Sequence, residues 1–100
     1  MQAVVNSNIL SQDTISEKID FLLSDVDNAN KNDVENKIVA MGAKVVNALV
    51  EKLQTLKGIQ RGIVAMSLIR IGESSREPLM ALATENSECQ WMADYLLSEI

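Results

Sequence analysis

The chain has no histidine. That excludes histidine-based triads, imidazole general bases and histidine-containing metal sites. It has a single cysteine, Cys89, so neither an internal disulfide nor a thiolate zinc cage can form within one chain. Catalysis would have to rest on Asp, Glu, Lys, Ser or Tyr. The expectation is a protein that is not an enzyme and holds no cofactor. Aromatic residues number three, Phe21, Trp91 and Tyr95, so the core must be aliphatic. Four glycines and one proline leave too few turn signals for an all-β sandwich. No basic N-terminal region precedes a long apolar run, so neither a signal peptide nor a membrane helix is expected, and the cytoplasm is the default compartment.

What is present points to one helical domain over residues 1–100. Hydrophobic residues make up 47% of the 100 residues, enough for one core at a common domain size. The formal net charge is −5, which argues against nonspecific binding to nucleic acid or to an anionic membrane.

The apolar spacing predicts about six helices. Residues 1–13 lack a helical period and read as an extended or flexible tail. A first helix begins near Thr14, where Thr14 and Glu17 fit a capping box, and stops around Ser24 to Val26. Its stripe is Ile15, Ile19, Leu22, Leu23 and Val26. A second runs from about Asp33 to Met41, capped by Asn32 or Asp33 and ended by Gly42. A third runs from about Ala43 to Leu56, with Val45, Val46, Leu49, Val50, Leu53 and Leu56 on one side. A fourth, Ile59 to Ile71, lies within the stretch Lys57–Gly72, which is apolar nearly all round. It is too apolar for a surface helix and too short to span a bilayer, so neighbours must cover it on more than one side. A fifth starts near Ser74 or Ser75, with Pro78 in its first turn, and stops near Thr84. A sixth starts at Ser87, where Gln90 completes a second capping box, and runs to the end.

The pattern repeats. Gly42 and Gly72 are thirty residues apart. A slide of thirty places Val34 on Val64, Ile38 on Leu68 and Leu49 on Leu79. A slide of twenty-nine then places Val64 on Ala93 and Leu68 on Leu97. Helix pairs at such a period signal a stacked array, because a single pair cannot bury its apolar face.

Gln60-Arg61, Ala65, Ser67, Leu68 and Ile71-Gly72, followed by Pro78-Leu79, resemble the HEAT-like repeat family, in the short form also found in phycobilisome lyases. The likeness is good over residues 60–83, fair over 86–100 and weak over 32–56, where the early arginine and the small residues are missing. The resemblance implies an all-α fold, a short right-handed α-solenoid whose second helices line a concave face. It implies a scaffold or adaptor that binds a protein, less often a nucleic acid, and no reaction.

Several residues are candidates for contact with a partner. On the second helices the solvent-facing positions are Lys44, Asn47, Glu51, Glu77 and Ala81, which read first as an ordinary solvated face and second as contacts. On the last helix Trp91 and Tyr95 fall nearly opposite the apolar side formed by Cys89, Met92, Ala93, Leu96, Leu97 and Ile100. They could form a hot spot for a partner or for a second copy in a homodimer. They could instead pack back on the fourth helix, or be covered by a further repeat in a longer relative. Cys89 reads as a small buried hydrophobe, and Met41, Met66, Met80 and Met92 read first as core gap-fillers.

Charge is segregated. Residues 1–35 hold seven acids and two bases, residues 36–72 one acid and six bases, and residues 73–100 six acids and one base. The central bases could meet an acidic partner, or they could be satisfied by neighbouring repeats. They are too few, and too poor in interleaved aromatics, for a nucleic-acid footprint. The acidic flanks also raise an alternative function, a small acidic inhibitor or immunity-type regulator. The family likeness raises another, an accessory subunit resembling phycobilisome lyases.

Overall fold

The structure, a computed structural model, describes residues 12–100. They form six α-helices: α1 (Gln12–Ser24), α2 (Lys31–Ala40), α3 (Val46–Leu53), α4 (Gly58–Ile71), α5 (Arg76–Glu85) and α6 (Gln90–Glu99). Among the described residues there is no strand, and no helix is long and apolar enough to cross a membrane. The tail expected over 1–13 lies outside the described residues as far as residue 11. Gln12 and Asp13 already belong to α1, so Thr14 sits within the first turn and not ahead of it.

The link from α1 to α2 is held by side chains. Asp27 Oδ1 accepts from the amides of Ala29 and Asn30, and Asn30 Oδ1 accepts from the Asp27 amide at 2.8 Å. Such short-range bonds let Asp and Asn fix a turn without a helix or sheet. Asn30 therefore stands at the N-cap position of α2, ahead of the expected Asn32 or Asp33, with its side chain committed to the loop.

The expected third and fifth helices each begin differently. Gly42 has φ +77° and Gly72 has φ +86°, so each turns the chain in a way other residues resist. Each is followed by a four-residue 3₁₀ turn, Gly42–Val45 and Gly72–Ser75, before the α-helix proper starts. The tighter winding turns Val45 and Ser75 inward, both fully buried. Ser75 then donates its hydroxyl to the Leu68 carbonyl at 2.8 Å, which also accepts from the Gly72 amide at the end of α4. The capping box expected at Ser87 and Gln90 is replaced by another 3₁₀ turn, Ser87–Cys89, capped by Asn86, whose side chain accepts from the Glu88 amide.

α4 occupies the middle, packing against α2, α3 and α6. α3 also meets α1 and α5, and α5 packs closely along α6. The backbones of α2 and α3, and of α4 and α5, scarcely approach each other, although short turns join them.

One hydrophobic cluster draws buried residues from all six helices, and all of them are aliphatic or sulfur-containing. Leu23, Ile38, Leu49, Leu53, Leu68 and Leu79 are among its fully enclosed members. The expected stripes on α1, α3 and α6 all face it, and Cys89 lies within it as a buried free thiol. Two methionines do not behave as gap-fillers: Met66 and Met80 are about half exposed. Each follows a partly or fully buried neighbour, Ala65 and Leu79, and one helical step of about 100° carries it past the edge of the core. Phe21, Trp91 and Tyr95 are all exposed.

Among the described residues one charged side chain is enclosed. Lys52 is 9% exposed, and its ammonium donates to Ser16 Oγ at 2.7 Å and Asp20 Oδ1 at 2.6 Å on α1. At the matching position thirty residues on stands Leu82, also buried.

Candidate functional site

Three of the six central bases are engaged by acids of the first third of the chain. Lys37 pairs with Asp33, Lys52 with Asp20 and Arg70 with Glu35, at 3.1, 2.6 and 2.9 Å. Arg70 also donates to Asn36 Oδ1, tying α4 to α2. The charge segregation of the sequence is thus partly cancelled within the fold. Lys44, Lys57 and Arg61 make no ion pair among the described residues.

An open groove runs between α3 and α5. Its upper part is lined by Ala43, Val46 and Asn47 on one side and Glu73, Arg76, Glu77, Pro78 and Met80 on the other. It continues past Val50 and Gln54 on the α3 side and Ala81, Leu82 and Glu85 on the α5 side, with Asn47 and Pro78 common to both parts. The buried Val46, Val50 and Leu82 form its floor. Asn86 Nδ2 donates to Gln54 Oε1 at 3.0 Å and ties the two walls together at the lower end.

Sequence reasoning placed contacts on the outer faces of these two helices, and the groove brings together Asn47, Glu77 and Ala81. Lys44 and Glu51 are exposed but stand outside it. Gln54, Pro78, Met80, Glu85 and Asn86 were not among the expected contacts, although Gln54, just past the end of α3, lies on the same side as Asn47, seven residues away. Among the described residues the groove carries three carboxylates and one base. Arg76 Nε donates to Glu73 Oε2 at 2.9 Å, so that base is already matched. Glu77 and Glu85 make no ion pair among the described residues.

Trp91 and Tyr95 are 68% and 58% exposed and take no part in the core cluster. They do not pack back on α4 in a buried position, and they do not line the α3–α5 groove. A second, smaller groove lies between α2 and α4, lined by Lys31, Asn32, Glu35, Ile59, Gly62 and Met66 among others. The groove is open beside Gly62, where a β-carbon would meet nothing within 4 Å.

Among the described residues no three His, Cys, Asp or Glu side chains gather as a metal-ligand set. Comparison with protein families, with curated proteins and with solved structures finds no match to this chain.

Proposed function

We propose that the protein is a non-catalytic interaction module, a short HEAT-like helical stack that binds a partner protein through the face formed by α3 and α5. The observation that carries this reading is the open groove along those two helices, with its apolar floor and its exposed Asn47 and Glu77. A concave, partly apolar surface rimmed by polar groups is a usual form for a macromolecular contact.

The repeat reading has its own support. Two glycine-led 3₁₀ turns recur at a spacing of thirty, each followed by a helix with a fully buried leucine at its fourth position, Leu49 and Leu79. Packing runs in order from α2 to α4 to α6 and from α1 to α3 to α5, the neighbour relations of a two-row stack. The sequence pattern of α4 resembles the first helix of HEAT repeats.

The exposed pair on α6 favours a second reading, in which Trp91 and Tyr95 contact a partner or another copy of the chain. Large aromatics in such positions are common anchors of interfaces.

A photo-crosslinking amino acid placed at Asn47 or Ala81, and at Lys18 on α1 as a control, tests the main reading inside the native cell. A discrete protein adduct from the groove positions alone is expected. Adducts of equal yield from Lys18, or none from any position, would sink it.

A further inference from the structure

We infer that the groove between α3 and α5 takes an extended segment of the partner bearing lysine or arginine at residues four apart; this rests on the reading of that face as the contact surface.

Charge names the occupant. Among the described residues the only base lining the groove, Arg76, is matched by Glu73, which leaves Glu77 and Glu85 to set its sign. Both line the α5 wall, with Ala81 midway between them. Eight residues of helix advance about 12 Å. An extended chain advances about 3.3 Å per residue, so its side chains at i and i+4 point the same way about 13 Å apart. Two cationic side chains at that spacing can meet both carboxylates without bending the segment.

The opposite wall suits a main chain. Asn47 on α3 and Gln54 just past its C-terminal end lie seven residues apart, about 10 Å along the axis, or roughly three residues of extended segment. The Asn47 side-chain amide makes no hydrogen bond among the described residues, so its Nδ2 donors and Oδ1 acceptor are free. An extended segment brings one N–H and one C=O per residue that need partners. Between the walls, Val46, Val50 and Leu82 offer apolar contact to the side chains that alternate with the cations. A polyanion fits poorly, because it would meet two free carboxylates.

The test uses a fluorescein-labelled peptide of about ten residues with lysines at i and i+4 between alternating valines and threonines, chosen as β-formers. A second peptide carries glutamate at the lysine positions. Binding is read by fluorescence anisotropy at low ionic strength. The lysine peptide is expected to bind at least about tenfold more tightly than the glutamate peptide. Glu77→Gln and Glu85→Gln should each weaken it by about three- to tenfold, as charge pairs of this kind do. Glu17→Gln on α1, which removes the same charge elsewhere, should leave it unchanged. Equal affinity for the two peptides, or an equal effect of Glu17→Gln, overturns the inference. If the peptide fails while crosslinks still map to Asn47 and Ala81, the cationic occupant is wrong and the contact surface stands. If crosslinks also fall elsewhere, both are wrong.

Discussion

The ammonium of Lys52 on α3 lies 2.6 Å from Asp20 Oδ1 on α1, and the lysine is buried while the aspartate is mostly exposed. Ser16 Oγ supplies a second acceptor at 2.7 Å. α1 is thus held to the rest of the fold by an enclosed charge as well as by Ile15, Ile19 and Leu23.

This asymmetry makes the two partners unequal in mutation. Asp20→Ala leaves a buried ammonium with one neutral acceptor and should cost roughly 1–2 kcal/mol, below the usual figure for a buried pair because water reaches this one. Lys52→Leu copies the buried residue thirty positions on, Leu82. It should leave stability within about 1 kcal/mol of the parent or raise it. In the Lys52→Leu background Asp20→Ala should cost almost nothing. Urea unfolding of the four proteins measures the coupling, and additive effects would show that the pair does not hold α1.

Ser67 is fully buried in α4 and its hydroxyl has no hydrogen-bond partner among the described residues. Ser67→Ala removes an unsatisfied group and gains helix propensity. It should stabilise the fold by about 1 kcal/mol. A lower urea midpoint for the variant would contradict the unpartnered hydroxyl.

The glycines should respond with opposite signs. Gly72 has φ +86° and ψ −130°, a region that side chains strongly disfavour, so Gly72→Ala should destabilise by roughly 1–3 kcal/mol. Gly62 lies within α4 at an ordinary φ, with open space where its β-carbon would go. Gly62→Ala should stabilise by about 0.5–1 kcal/mol. Thermal melts followed by far-ultraviolet circular dichroism compare the two. The same sign for both would break the argument.

Trp91→Ala and Tyr95→Ala remove exposed side chains and should change stability by no more than about 0.5 kcal/mol. If α6 joins two copies, light scattering after size exclusion should show a dimer for the parent and a lower mass for Trp91→Ala. An unchanged mass removes Trp91 from that role.

The helices were legible because their apolar stripes keep a helical period, as in Ile15, Ile19 and Leu23 or Val46, Leu49 and Leu53. The 3₁₀ turns were not. A glycine stop reads alike whether an α-helix or a tighter turn follows it, and only the buried Val45 and Ser75 betray the difference. Lys52 was hidden because a lysine reads as surface, and the partner that makes its burial tolerable lies thirty-two residues away. Asn47, Glu77 and Ala81 could be found from the polar sides of their helices. That Glu85 and Gln54 share a groove with them depends on how α3 and α5 lie together, which no local pattern encodes.

The aliphatic core leaves every ring on the outside, and this divides the protein's optical signals in an unusual way. Unfolding exposes no buried indole or phenol among the described residues, so Trp91 fluorescence should hardly change as the chain melts. Whatever covers α6 would shift that same emission to the blue. In this molecule the intrinsic fluorophore reports on company and not on folding.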